Sequence, residues 1–259
     1  MNPDLRQRFR RLTSGVCHRG LHDLEKPENS MAAFQAAIDL GLPFEFDLHL
    51  TKDGHLMACH DSHLLRMTGK EGMLENFTRE ELEASFRLPD GSCLPRFEDI
   101  LAYNQGKVPM VIELKAYNGN DEALARTAIP LINGIVNAEE CVIISFSYET
   151  LLEARKLNPI PPLGFLVGTE AVKHASKEML YEFDFLDVEV HYSMLPRFRR
   201  YRKAGGAILC WTVKSHLTAW IGKHRCDGLT WEKVNSAKPE KKVNRYIERH
   251  FDPRFKGDI

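Results

Sequence analysis

The sequence predicts an α/β fold, a (β/α)8 or TIM barrel with a small insertion after its second strand. Three observations lead there. Short β-branched or apolar runs alternate with longer amphipathic stretches along the chain, the mark of repeated βα units around a parallel sheet. Eight such runs can be counted, and the 259 residues match the ~250 that a one-domain barrel needs. The turn after the first run, His18-Arg19-Gly20-Leu21-His22, has no G-x-G-x-x-G and ends in ionisable groups. A doubly wound open sheet favours a glycine-rich phosphate turn there, whereas a barrel gathers catalytic groups at the C-terminal ends of several strands.

In chain order, strands are expected at residues 16–19, 44–50, 108–115, 141–146, 163–167, 183–190, 207–213 and 226–231. The first helix, 29–40, follows from the run Ser-Met-Ala-Ala-Phe-Gln-Ala-Ala-Ile, with Asn29 as its N-cap and Gly41 as its stop. The interval 51–107 is longer than one helix needs. Lys52-Asp53-Gly54 reads as a turn into 55–60, so a hairpin-plus-helix insertion begins there. Its Leu64, Leu65, Met67, Met73, Leu74, Phe77, Leu82, Phe86 and Leu88 read as a satellite core under the insertion. The alternative is an apolar wall beside the site that admits one acyl chain. Helices at 121–136, 150–157, 173–181, 196–203, 215–223 and about 236–250 complete the alternation. No internal repeat and no linker rich in Pro, Gly or Ser divides residues 1–259, which are expected to form one domain.

Composition narrows the function classes. Lys+Arg (35) and Asp+Glu (36) nearly cancel, so overall charge favours neither nucleic acid nor an anionic membrane as a partner. The basic run Arg6, Arg8, Arg10 and Arg11 reads as a solvated arm. No apolar segment reaches the ~18 residues of a membrane span and the N-terminus lacks a secretory h-region, so stable membrane insertion is not expected and the chain as given reads as cytoplasmic. Cys17, Cys59, Cys93, Cys141, Cys210 and Cys226 form no C-x-x-C pair and read as buried strand thiols rather than disulfides or a zinc cluster.

Chemistry concentrates at strand ends. In Phe44-Glu45-Phe46-Asp47-Leu48, side chains two apart share a face, so Glu45 and Asp47 point together while the apolar residues face the helices. Two such carboxylates repel unless a cation sits between them, and oxygen-only ligands suit a hard divalent ion such as Mg2+ or Ca2+. On the third strand Glu113 and Lys115 also share a face. Either they form a structural salt bridge, or Glu113 completes a metal site while Lys115 faces an anionic substrate. His18-Arg19 closes the first strand and His60-Asp61 the hairpin. Histidine titrates near working pH and serves as acid or base, and Arg19 brings a permanent cation with fork geometry for phosphate.

Taken in order, H-R-G at 18–20, P-E-N-S at 27–30, F-E-F-D at 44–47, L-T-K-D-G at 50–54, H-D at 60–61 and I-E-L-K at 112–115 resemble the glycerophosphodiester phosphodiesterase family. The resemblance is strong from Val16 to Lys115 and thins to Ser145-Phe146 and Trp211-Thr212-Val213 beyond. It implies hydrolysis of glycerophosphodiesters to glycerol 3-phosphate and an alcohol. It further implies one divalent cation, Mg2+ or Ca2+ with Mn2+ a third option, held by Glu45, Asp47 and Glu113. His18 and His60 would be the acid–base pair, and Arg19 and Lys115 would hold the phosphate. Trp211 either packs on the glycerol or is an aromatic core residue. The attacking group is water or the neighbouring glycerol hydroxyl. Where the family carries Thr-Asp after its last strand, this chain reads Thr230-Trp231-Glu232-Lys233. The rival readings are a phospholipase-D-like activity on lysophospholipids or sphingomyelin, and a catalytically silent barrel that only binds phosphodiesters.

Overall fold

The computed structural model describes Leu5, Phe9, Leu12 and residues 15–232. The expected helix at 236–250 and the basic run from Arg6 to Arg11 lie outside the described residues. In chain order the elements are β1 (Val16–Cys17), α1 (Met31–Asp39), β2 (Phe44–Leu50), β3 (Leu56–Ala58), α2 (Leu65–Thr68), α3 (Arg79–Ser85), α4 (Phe97–Asn104), β4 (Met110–Leu114) and α5 (Asp121–Asn133). They continue with β5 (Val142–Ser145), α6 (Tyr148–Lys156), β6 (Leu163–Val167), α7 (Thr169–His174), α8 (Lys177–Glu182), β7 (Phe185–Glu189), α9 (Pro196–Lys203), β8 (Ala207–Val213), α10 (His216–Arg225) and β9 (Gly228–Trp231).

Eight of the strands run parallel and close on themselves, because β1 pairs with both β2 and β9. All eight expected runs are barrel strands. The ninth, β3, returns antiparallel on β2 with Leu48 opposite Ala58 and Leu50 opposite Leu56, so the hairpin turn falls at Lys52-Asp53-Gly54 as expected. The interval 51–107 then contains α2, α3 and α4, and Phe97 and Ile100 of α4 belong to the main core.

Strand parity sorts the core into layers. Phe44, Phe46 and Leu48 of β2 pack outward under the helices, where Phe34 of α1 stacks on Phe44 at 5.2 Å. Val16, Val111, Val142, Ile144, Leu166, Phe185 and Leu209 fill the barrel interior. Phe9 closes its N-terminal end, edge-on to Phe185 at 5.1 Å. Gly164 is required opposite that ring, since a Cβ there would lie 2.2 Å from Phe185. Apolar filling thus occupies the end where the strands begin, and the inward charges of β2, β4 and β7 sit at the end where they finish.

Several local expectations change. Asn29 does not cap α1: Ser30 does, its hydroxyl accepting from Ala33 N–H at 3.1 Å, while Asn29 takes φ +52 and turns its amide elsewhere. The single helix expected at 173–181 is two, α7 and α8, because the Ser176 hydroxyl caps a new helix start by accepting from Met179 N–H. The strand expected to run to Arg19 ends at Cys17, because Arg19 itself adopts φ +53. All six cysteines are free thiols, but Cys93 is exposed. In the insertion, Leu64, Met67, Leu74, Leu82, Phe86 and Leu88 are buried together with Met57, Cys59 and Leu94, with Phe77 packed on them. Met73 is half-buried and Leu65 exposed. These side chains form a satellite core. Among the described residues no helix is long and apolar enough to cross a membrane.

Candidate active site

At the C-terminal end of the barrel a cavity of about 220 Å³ is lined by His18, Arg19, Glu45, His60, Glu113, Asp187 and Trp211, with Ile144, Phe146 and Leu166 on its apolar side. Parallel register sets Asp47 directly beside Glu113, and Glu45 one inward step below on the same strand. Carboxylate oxygens of Glu45, Asp47 and Glu113 all lie within 4.8 Å of one another, and all three residues are buried. Lys115 Nζ stands 2.7 Å from Glu113 Oε1 and 3.0 Å from Asp47 Oδ1. Lys115 thus ion-pairs with both carboxylates, but neither of these oxygens has a hydrogen-bond partner of good geometry. An all-oxygen, buried and partly unanswered donor set fits a hard divalent ion.

The neighbours hold this set in place. Asn29, turned away from the helix, donates its amide to Asp47 Oδ2 at 2.8 Å and accepts from Asp47 N–H at 3.3 Å. The positive φ of Arg19 aims its backbone N–H at Glu45 Oε2, 2.8 Å away. Its guanidinium donates to Glu28 Oε1 at 2.7 Å and lies 3.7 Å from Asp47 Oδ2. Glu28 also accepts from Arg66, which pairs in turn with Asp61, and Asp61 Oδ1 sits 2.6 Å from His60 Nδ1. A continuous charged chain therefore joins Arg19 to His60. His49, which shares the β2 parity of Glu45 and Asp47, ties Glu75 of the insertion (2.6 Å) to the His60 carbonyl (3.3 Å) and so fixes the segment that carries His60.

His18 is held in a matching way. Its Nδ1 lies 2.8 Å from Glu232 Oε2, while its Nε2 faces the carboxylates, 4.0 Å from Glu45 Oε2. Lys214 Nζ completes this corner at 2.9 Å from Glu232 Oε2. Burial lowers the His18 imidazole to about 4, with Arg19 adding to it against the pull of Glu232. Burial lowers His60 as well. Burial raises the Glu45 carboxyl far above its usual range, and repulsion from Asp47 and Glu113 raises it further. Glu113 is pushed up to about 8 by burial and by Asp47 in spite of Lys115. Asp47 is buried too, yet Lys115, His60 and Arg19 together hold it well below the ordinary carboxylate range.

All the residues singled out from the sequence converge here. Trp211 lines the cavity, edge-on to Phe146 at 5.7 Å, with its indole N–H donating to the Asp187 carbonyl at 3.2 Å. Three site residues were not foreseen in these positions. Asp187 is buried with Oδ1 unpartnered, and its carboxyl is raised by burial and by Glu113. The signal was its inward parity with Phe185 on one apolar strand. Asn29 was read as a helix cap, and Glu232 only as a departure from a family pattern.

The Glycerophosphoryl diester phosphodiesterase family model matches residues 18–236 of the chain. The chain belongs to this family. Membership extends past Lys115, where motifs alone had thinned, to the end of the last strand, and it makes the protein a phosphoric diester hydrolase. A glycerophosphodiester phosphodiesterase of Caldanaerobacter subterraneus subsp. tengcongensis is 31% identical over 212 residues, 76% of this chain and 84% of the relative. A lysophospholipase D of Rattus norvegicus is 45% identical over 65 residues, 25% of this chain and 20% of that protein. Among solved structures, an Oleispira antarctica phosphodiesterase in complex with the product sn-glycerol-3-phosphate shares the fold with TM-score 0.78 at 19% identity, covering 93% of this chain and 99% of the other. A glycerophosphodiester phosphodiesterase of Thermotoga maritima shares it with TM-score 0.70 at 22% identity, covering 91% and 97%.

Proposed function

We propose that the chain hydrolyses glycerophosphodiesters to glycerol 3-phosphate and an alcohol, with His18 and His60 as the acid–base pair around one divalent cation. The observation that supports this best is the meeting of two imidazoles, three buried carboxylates and two cations at one barrel mouth. Glu45, Asp47 and Glu113 would hold the ion, Mg2+ or Ca2+ with Mn2+ as the third option. When bound, it supplies positive charge against the phosphate oxygens. Arg19 and Lys115 face the same phosphate while their carboxylate partners keep them oriented. Each catalytic ring has its Nδ1 side occupied by a carboxylate, Glu232 for His18 and Asp61 for His60. That arrangement keeps the Nδ1 proton in place and leaves Nε2 as the nitrogen that takes a proton from the attacking oxygen or returns one to the departing alkoxide. Residues 1–259 act as one catalytic domain in this reading, and 51–107 as its decoration.

Asn29 enters this reading as the residue that orients Asp47. Asn29→Ala is expected to weaken binding of the divalent ion by ~10–100-fold, the usual effect of losing a group that orients a ligand. Calorimetric titration with Mg2+ or Ca2+ reads it, and unchanged affinity would remove Asn29 from the site.

Substrate size follows from the cavity. Its 220 Å³ falls below the ~300–1,000 Å³ usual for pockets that take drug-sized ligands, which supports a small glycerophosphate head as the occupant. Most of the insertion's apolar side chains pack in their own cluster, which supports the satellite core over an acyl wall beside the site. The second reading, cleavage of lysophospholipids, draws on the short likeness to the rat lysophospholipase D and on the apolar side formed by Ile144, Phe146, Leu166 and Trp211. Rates on glycerophosphocholine and on lysophosphatidylcholine decide between them. Faster turnover of the soluble diester is expected, and the opposite order would establish the second reading.

A further inference from the structure

We propose a second metal site beside the first, built from His18, His22 and Glu232, which takes a borderline transition ion such as Zn2+ and switches the enzyme off when filled. The three residues are half-buried, and one ligand atom of each lies within 4.8 Å of the other two. His22 Nε2 is buried and has no hydrogen-bond partner, an unanswered nitrogen in a ring that nothing in the hydrolytic site employs. The donor set is what separates this site from its neighbour. Two imidazoles and one carboxylate select zinc, copper or nickel, whereas the oxygen-only set of Glu45, Asp47 and Glu113 selects a hard ion.

The fold brings the ligands together from distant places. His18 and His22 stand on either side of a turn in which Gly20 holds φ +82, packed so closely that a Cβ would meet Ala33 at 2.9 Å. Leu21 N–H donates to the Ala33 carbonyl at 3.0 Å and fixes that turn on α1. Glu232 arrives just after β9, anchored by its N–H on the Val213 carbonyl at 3.1 Å. Zinc ligands at ~2.0–2.1 Å in a tetrahedral site lie roughly 3.3 Å apart. The present 2.8 Å between His18 Nδ1 and Glu232 Oε2 therefore opens by about half an ångström to admit the ion. Lys214, exposed and 2.9 Å from the same oxygen, swings into solvent. Three protein ligands leave a fourth position for water.

Filling the site acts on His18 through its tautomer. Neutral imidazole has one proton and one lone pair. When the Nδ1 lone pair goes to the ion, the proton that Nδ1 shares with Glu232 must sit on Nε2 instead. The nitrogen that faces the carboxylates then becomes a permanent donor and can no longer accept a proton. The number of protons on the ring does not change.

This inhibition rests on the reading of His18 as a catalytic base or acid, but the binding does not, so the two are measured separately. With the carboxylate site filled by excess Mg2+, the wild-type protein is titrated with Co2+ and with Zn2+, alongside His22→Asn and, as a second replacement, His22→Gln. Wild type is expected to bind one Co2+ with the ligand-field absorption of a four-coordinate site. The His22 variants should bind both ions more weakly by at least the ~10–100-fold typical of disturbing a metal site. In the second arm, Mg2+-supported hydrolysis by wild type is inhibited by Zn2+, while His22→Asn keeps its turnover and needs correspondingly more Zn2+. The site is overturned if wild type takes up no Co2+ in excess Mg2+, or if uptake is the same in the variants. Equal Zn2+ inhibition of both proteins would place the zinc effect at the carboxylates and overturn the switch. Should no diester be hydrolysed at all, the Co2+ titration still decides the binding.

Discussion

Replacing either His18 or His60 with alanine is expected to lower turnover of glycerophosphocholine by ~10²–10⁴-fold, the range for losing one positioned acid or base, while the fold survives. Both rings line the cavity and neither belongs to a core cluster, so the substitution removes chemistry rather than packing. The two losses should be similar in kind, because each ring has a carboxylate at Nδ1 and a free Nε2. Steady-state kinetics reads the loss, and circular dichroism with a thermal melt verifies the fold. Turnover near the wild-type rate in either variant would reject that histidine's role. Loss of the melt transition would instead mean that the ring supports the structure.

Removal of divalent ions is expected to abolish hydrolysis, and readdition of Mg2+, Ca2+ or Mn2+ to restore it in the order of the site's preference. The reason lies in three buried carboxylates whose burial and mutual repulsion Lys115 and Arg19 offset only in part, so that Glu45 and Glu113 stay raised until a further cation joins them. In the metal-free protein Glu113 is pushed up to about 8 and Glu45 far above its usual range, so protons remain on these groups near neutral pH. Binding an ion requires those protons to leave. Affinity should therefore rise with pH through about 8, with proton release detected as buffer-dependent heats in calorimetry. Stability has the matching sign. The folded, metal-free chain keeps a proton on Glu113 that the unfolded chain loses in the ordinary glutamate range, so the chelated protein should become less stable as pH rises from that range through about 8. The ion should cancel this slope. Full activity in chelator, or metal affinity indifferent to pH, would contradict the assignment.

Much of the scaffold was legible because its signals are local. The eight strands follow from apolar runs bounded by turn residues, and helices such as Pro196–Lys203 from amphipathic stretches between them. Parity on one strand brings Glu45 and Asp47 to one side whatever lies next to it, and inward charges near strand ends point to the barrel mouth. What misled were groups with two local options. Asn29 and Ser30 are both good helix caps by residue type, and nothing within a few residues reveals that Asp47 needs an amide.

The sequence by itself determined the order and type of the barrel strands, the face of β2 that carries the carboxylates, and the hairpin that delivers His60. Only the tertiary structure decided that β1 meets β9, which sets Glu232 against His18 across 214 positions of chain. It also decided that Asp187 faces the same cavity as Glu113, and that the insertion's apolar residues bury one another. Helical and strand periods report which side of an element is buried. They carry no information on which other element covers that side, because that partner is set by closure of the whole sheet.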